Sequence, residues 1–87
     1  MAKSIHRQEY TALTELLRDI RKASSLTQVQ VSEQLGRSQS FMSDVENGTR
    51  RLDIIELRDI ALITGTTLAK VVADLEKRIR ELDQGTP

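Results

Sequence analysis

The stretch "GRSQSFMSDVENG", residues 36 to 48, is long enough for a helix and fenced by two glycines. Its polar positions are Ser38, Gln39, Ser40, Ser43 and Asp44, whereas a face that only had to be soluble would carry Lys, Glu and Arg, which are better helix formers. Just upstream, Thr27 followed by Gln30 has the form of a capping box, so a helix starts there and stops at Gly36. The link Gly36-Arg37 is too short to let the two helices lie side by side and forces them to cross steeply, which is a helix-turn-helix. Within Gln28-x3-Ser32-x3-Gly36-x5-Met42-x2-Val45 each slot has a steric reason. Ser32 must be small where two backbones approach, Gly36 permits a left-handed turn, and Val31, Leu35, Met42 and Val45 fill the space between the helices. Ser38 is placed to cap the second helix of the pair, and Asn47-Gly48 ends it.

Working outward, Tyr10, Leu13, Leu17 and Ile20 recur at spacings of three and four, with Leu16 widening the stripe. They predict an amphipathic first helix from about Gln8 to Ala23, broken by Ser24-Ser25. Downstream, Asp53 with Glu56 is a second capping box, opening a helix that carries Ile54, Ile55, Leu57, Ile60, Ala61 and Ile63 up to Gly65. Thr67 opens a last helix with Leu68, Val71, Val72, Leu75, Ile79 and Leu82 on one stripe. The expected architecture is all-α: one domain over residues 1–87, a five-helix bundle containing the helix-turn-helix, compact from about 8 to 82, with frayed tails at 1–7 and 83–87.

Composition narrows the chemistry. Eighty-seven residues, 38% of them hydrophobic, bury only a small core. There is no cysteine for disulfides or thiolate metal sites, and no apolar run that would serve as a signal or a membrane span, so a cytoplasmic location is expected. The single histidine, His6, falls in the expected tail, and no acidic cluster has metal-ligand spacing, so neither an enzyme nor a cofactor is expected. Thirteen basic residues balance thirteen acidic ones, which withholds the strongly basic signature of many nucleic-acid binders. Distribution says more than the total: residues 1–51 hold eight Lys/Arg against six Asp/Glu, residues 52–87 five against seven, and Arg37, Arg50 and Arg51 bracket the quoted stretch.

From Leu16 to Leu75 the chain resembles the phage Cro and repressor family of helix-turn-helix proteins, the XRE family. The resemblance rests on Arg21, Leu26-Thr27-Gln28, Gly36, Met42-Ser43, Glu46-x-Gly48 and Arg50-Arg51-Leu52-Asp53, in the family's order and spacing. It implies a lambda-repressor-like DNA-binding domain whose third helix lies in the major groove. There Gln39, Ser40, Ser43 and Asp44 would contact bases, Gln39 being placed for a bidentate contact to adenine. Gln28, Arg37, Ser38, Asn47, Arg50 and Arg51 would contact the DNA backbone, with helix termination an equal explanation for Asn47. Arg21 and Glu46 occupy the family's partly buried salt bridge, where deleting one partner costs about 3 to 5 kcal/mol. Two residues depart from the pattern: Ser32, where alanine is usual, brings a hydroxyl that must find a backbone carbonyl, and Ser25, where glycine is frequent, is expected to strain its loop. Phe41 is read as core, with a thymine methyl or sugar as the lesser alternative.

A lone helix-turn-helix covers few base pairs, so the resemblance implies a homodimer on a pseudo-palindrome with half-sites about 34 to 36 Å apart. Leu68, Val71, Val72 and Leu75 are expected to serve the core, while Ile79 and Leu82 extend beyond it and are expected at a dimer contact, to which Leu75 is also assigned. The main expectation is a sequence-specific transcriptional regulator on double-stranded DNA, of phage, mobile-element or restriction-modification type. The alternatives are an antitoxin-type autoregulator with a toxin partner, and a protein-interaction module on the same fold, which the zero net charge keeps open.

Overall fold

A computed structural model describes the backbone of residues 2–84 and the side chains of residues 8–83. Five helices follow in order: α1 (Ala2–Ala23), α2 (Gln28–Gln34), α3 (Phe41–Glu46), α4 (Ile54–Ile63) and α5 (Leu68–Gln84). The first helix starts at Ala2 rather than near Gln8, since no glycine or proline intervenes to stop it. The His6 side chain and residues 85–87 lie outside what is described.

The helix ends follow local chemistry. Thr27 and Asp53 each accept the N–H of the residue three along, Gln30 and Glu56, whose side chains reach back to the cap N–H, so both capping boxes are complete. At the other ends one closure repeats. After α1, α2, α3 and α4 a residue at positive φ lets the next N–H reach back five positions, as from Leu26 to the Arg21 carbonyl and from Arg37 to that of Ser32. Three of these residues are glycines, Gly36 among them at φ 71°; the fourth is Ser25, at φ 62°, the one non-glycine residue at positive φ among those described. The expected loop strain therefore has a location, and the guanidinium of Arg21 steadies the loop by donating from Nη1 to the Leu26 carbonyl at 2.9 Å.

The core gathers one stripe from each helix. Leu16 and Leu17 of α1, Val31 of α2, Phe41, Met42 and Val45 of α3, Leu57, Ile60 and Ala61 of α4 and Val71 of α5 are buried together, with Leu26, Leu35, Leu52 and Leu75 packed around them. α1 and α5 pack together, tied by Arg78 to Asp19 at 2.9 Å, in a molecule measuring 42 × 23 × 21 Å. α4 carries more apolar residues than one face can bury. Its apolar residues span more than one face, so Leu57, Ile60 and Ala61 take the inside while Ile54, Ile55 and Leu62 stay exposed.

Candidate nucleic-acid interface

The corner between α2 and α3 is built on Ser32. This residue is wholly buried; its Oγ donates to the Gln28 carbonyl at 2.9 Å and accepts the backbone N–H of Met42 at 3.0 Å. The hydroxyl thus finds its carbonyl and also serves one of the N–H groups that the start of a helix leaves without a partner. Ser38 does not cap α3. The helix begins at Phe41, its N-cap position is Ser40 with helical backbone angles (φ −85°, ψ −3°), and Ser40 makes no side-chain cap bond, because a cap residue needs an extended backbone to aim its oxygen at the following N–H groups. Instead the Ser38 carbonyl accepts the Phe41 N–H at 3.0 Å, and the Met42 N–H is satisfied by α2 across the corner.

Of the residues expected to face bases, Gln39 and Ser40 are exposed but sit in the turn before α3, not on it. Ser43 and Asp44 lie on α3 and are half-buried. All four thus share one short stretch, and none is in the core. Past the helix, the Asp44 carbonyl accepts the N–H groups of Thr49 and Arg50, at 3.0 and 3.1 Å, closing the loop back onto α3. Asn47 Oδ1 is engaged by the N–H and hydroxyl of Thr49, at 2.9 and 2.7 Å, which makes this exposed residue a loop fastener.

Two carboxylates organise what lies around this stretch. Glu46, at the end of α3 and 3% exposed, accepts from Arg21 Nε at 2.6 Å and Arg21 Nη2 at 3.0 Å, and from Gln28 Nε2 at 2.9 Å. Arg18 Nε stands 3.7 Å off. One carboxylate therefore joins α1, α2 and α3, and the fork of Arg21 meets it in the two-pronged geometry that makes such pairs strong. Gln28, expected to hold a phosphate, has its amide nitrogen turned inward onto Glu46.

The second carboxylate, Glu56 of α4, was legible in the sequence only as half of a capping box. In the structure it accepts from Arg37 Nη2 at 2.5 Å and Arg50 Nη2 at 2.7 Å, and its pKa is lowered by the Asp53 N–H first and then by Arg50 and Arg37, against the opposing effect of burial. Both guanidinium groups also lie against Phe41, 4.7 and 5.2 Å from the ring centre. Phe41 itself is 6% exposed, so it is core and offers little to a thymine. Arg51 stacks on Tyr10 at 4.3 Å. No spacing rule connects residues 37, 50 and 56; only the tertiary fold brings them together.

The surface expected to hold a second subunit is divided. Leu75 packs against the core of its own chain, as expected of it, and is half-buried. Ile79 is half-buried, and Leu82 is 41% exposed. Ile54, Ile55 and Leu62 of α4 and Val72 of α5 add exposed apolar surface that the sequence reading did not assign to a partner. Among the described residues, no helix is long and apolar enough to cross a membrane, and no cluster of His, Cys, Asp or Glu is placed to hold a metal ion.

Comparison with known proteins agrees with this geometry. A family model described as a helix-turn-helix domain matches residues 12–73. The control protein C.MunI of a Mycoplasma species is 31% identical over 62 residues, covering 70% of this chain and 84% of its own length. An XRE-family like protein from Pseudomonas syringae pv. tomato str. DC3000 superposes with a TM-score of 0.82 at 42% identity, over 88% of this chain and 94% of the other. The all-helical architecture, the α2–α3 corner joined through Ser32 and these likenesses have one reading: the chain belongs to the XRE-type helix-turn-helix family of DNA-binding transcriptional regulators.

Proposed function

We propose that the chain binds double-stranded DNA sequence-specifically as a homodimer, placing α3 and the turn before it in the major groove of each half-site of a pseudo-palindrome. The observation that carries this reading is the stretch from Gln39 to Asp44. Short hydrogen-bonding side chains, exposed at Gln39 and Ser40 and half-buried at Ser43 and Asp44, stand at the start of a short helix with Arg37, Arg50 and Arg51 at its flanks. Short side chains let a backbone approach base edges, and flanking guanidinium groups fix it on phosphates. Gln39 is the residue for a bidentate contact to adenine; Ser40, Ser43 and Asp44 complete the reading set. Arg37, Arg50 and Arg51 hold the backbone, with lesser contacts from Ser38, Gln28 and the Asn47 amide. Resemblance to a control protein supports the regulatory role.

A second reading has its own observation. Ile54, Ile55 and Leu62, exposed on α4, are apolar surface of the kind that protein partners cover. In the dimer reading a second copy covers part of it; in the antitoxin or interaction-module reading a different protein does. Selection of bound sites from random duplex DNA, followed by salt titration of the preferred site, separates them. A regulator yields a two-fold symmetric site and an affinity falling linearly in log–log terms, by about 0.9 per phosphate neutralised. Gln39→Ala then relaxes preference at one base pair per half-site, at about 1 to 3 kcal/mol. A flat salt response with no preferred site would overturn the DNA reading in favour of the interaction module.

A further inference from the structure

Arg37 leaves the chain before α3 and Arg50 after it, yet both end on one carboxylate of α4. Glu56 Oε2 accepts from Arg37 Nη2 at 2.5 Å and from Arg50 Nη2 at 2.7 Å; Oε1 accepts from Arg50 Nη1 at 3.3 Å and from the Asp53 N–H at 2.9 Å. Two like charges are thereby held within reach of a single oxygen, close enough to serve one anion between them. The Phe41 ring backs both, and Arg50 Nη1 also donates to the Arg51 carbonyl. The arginines are not consumed by these bonds. Their side chains stay 41% and 40% exposed, and these bonds run from Nη2 of Arg37 and from Nη1 and Nη2 of Arg50. A guanidinium has five N–H donors in a rigid fork, so it can hold a carboxylate on one edge and a phosphate on another.

We propose that Glu56 is a positioning residue for DNA binding: its carboxylate sets Arg37 and Arg50 as a preformed pair that grips one backbone phosphate beside the start of α3. The inference rests on the DNA-binding reading above. Without the carboxylate the two cations repel each other and their long side chains must be ordered at the moment of binding, which lowers affinity. Removing Glu56 also deletes a negative charge near phosphate, which raises affinity, so a single substitution mixes opposing effects. A double-mutant cycle isolates the positioning part.

Binding of a short random-sequence duplex, labelled and titrated at about 50 mM salt where phosphate contacts dominate, is measured for wild type, Arg50→Ala, Glu56→Gln and the double variant. Glutamine keeps an oxygen for the Asp53 N–H, so the cap survives, and circular dichroism verifies folding. Arg50→Ala is expected to weaken wild-type binding about tenfold but to weaken the Glu56→Gln background by no more than about threefold. An equal or larger loss in that background overturns the proposal, since the carboxylate would then be idle or a competitor of phosphate. Should Glu56→Gln fail to fold, Arg37→Ala and Arg50→Ala are combined with Glu56 intact. A shared grip makes the double loss smaller than the product of the single losses, and a product of independent losses overturns it. If wild type shows no salt-dependent binding, the DNA reading itself has failed, which is distinct from wild-type binding with the wrong sign of coupling.

Discussion

Replacing Ser32 with alanine tests the corner on which α3 depends. In the native chain the buried hydroxyl accepts the Met42 N–H at 3.0 Å and donates to the Gln28 carbonyl at 2.9 Å. Alanine fits the same space, so no packing is lost and no clash appears. What is lost is the acceptor: the Met42 N–H, in a residue with no exposed surface, is left without a partner. An orphaned buried donor costs about 1 to 3 kcal/mol. Part of this is returned because the serine hydroxyl itself no longer has to be stripped of water, and the Gln28 carbonyl keeps its place in the helical ladder of α2. The expected net loss is about 1 to 2 kcal/mol, which in a chain of this length lowers the thermal midpoint by roughly 5 to 15 °C. Thermal and urea unfolding followed by circular dichroism read the loss, and hydrogen exchange locates it, since the Met42 amide should exchange faster relative to its core neighbours. A variant as stable as wild type to within about 0.3 kcal/mol, with Met42 exchange unchanged, would refute the cap borrowed from α2.

Three further outcomes are expected. Ser25→Gly should stabilise the chain by about 1 kcal/mol in urea unfolding, because glycine occupies φ 62° without the side-chain penalty that serine meets there; an unchanged or lowered midpoint would show that the loop is not strained. Glu46→Ala should destabilise by about 3 to 5 kcal/mol, since it leaves the Arg21 guanidinium buried without its counter-charge, and loss of the folded far-ultraviolet signal at moderate urea is the readout. Glu56 has its pKa lowered from 4.5 in the folded chain. A lowered value means stabilisation that is complete above the unfolded pKa and is lost as pH falls through the folded one. Stability of Glu56→Gln should therefore depend less steeply on pH below about 4.5 than wild type, and parallel acid limbs would contradict the assignment.

Local signals in this chain were readable and long-range ones were not. Thr27 with Gln30 and Asp53 with Glu56 announced two helix starts because a capping box is complete within four residues. Gly36, Gly48 and Gly65 announced three helix ends for the same reason. The cap of α3 was misassigned to Ser38 because its true acceptor, Ser32, is ten residues away from Met42 and reaches it only once α2 and α3 have crossed. A helical stripe fixes which residues share a face, not how many neighbours arrive to cover it, so Val72, expected in the core beside Leu75, is 41% exposed while Leu75 packs inward. Within the candidate site, residue types at 39, 40, 43 and 44 were informative on their own. The gathering of Arg37, Arg50, Phe41 and Glu56 was not, since it joins three separate segments.

At six residues, α3 is well below the dozen or so that an isolated helix needs to persist in water, and its first turn leans on a hydroxyl belonging to another segment. Excised as a peptide it should be unstructured. Anyone wishing to transplant this segment into another scaffold would have to carry residues 27–50 as a unit, and a lesion at the buried Val31 or Ser32 of α2 would loosen α3 without altering any side chain of residues 39–44.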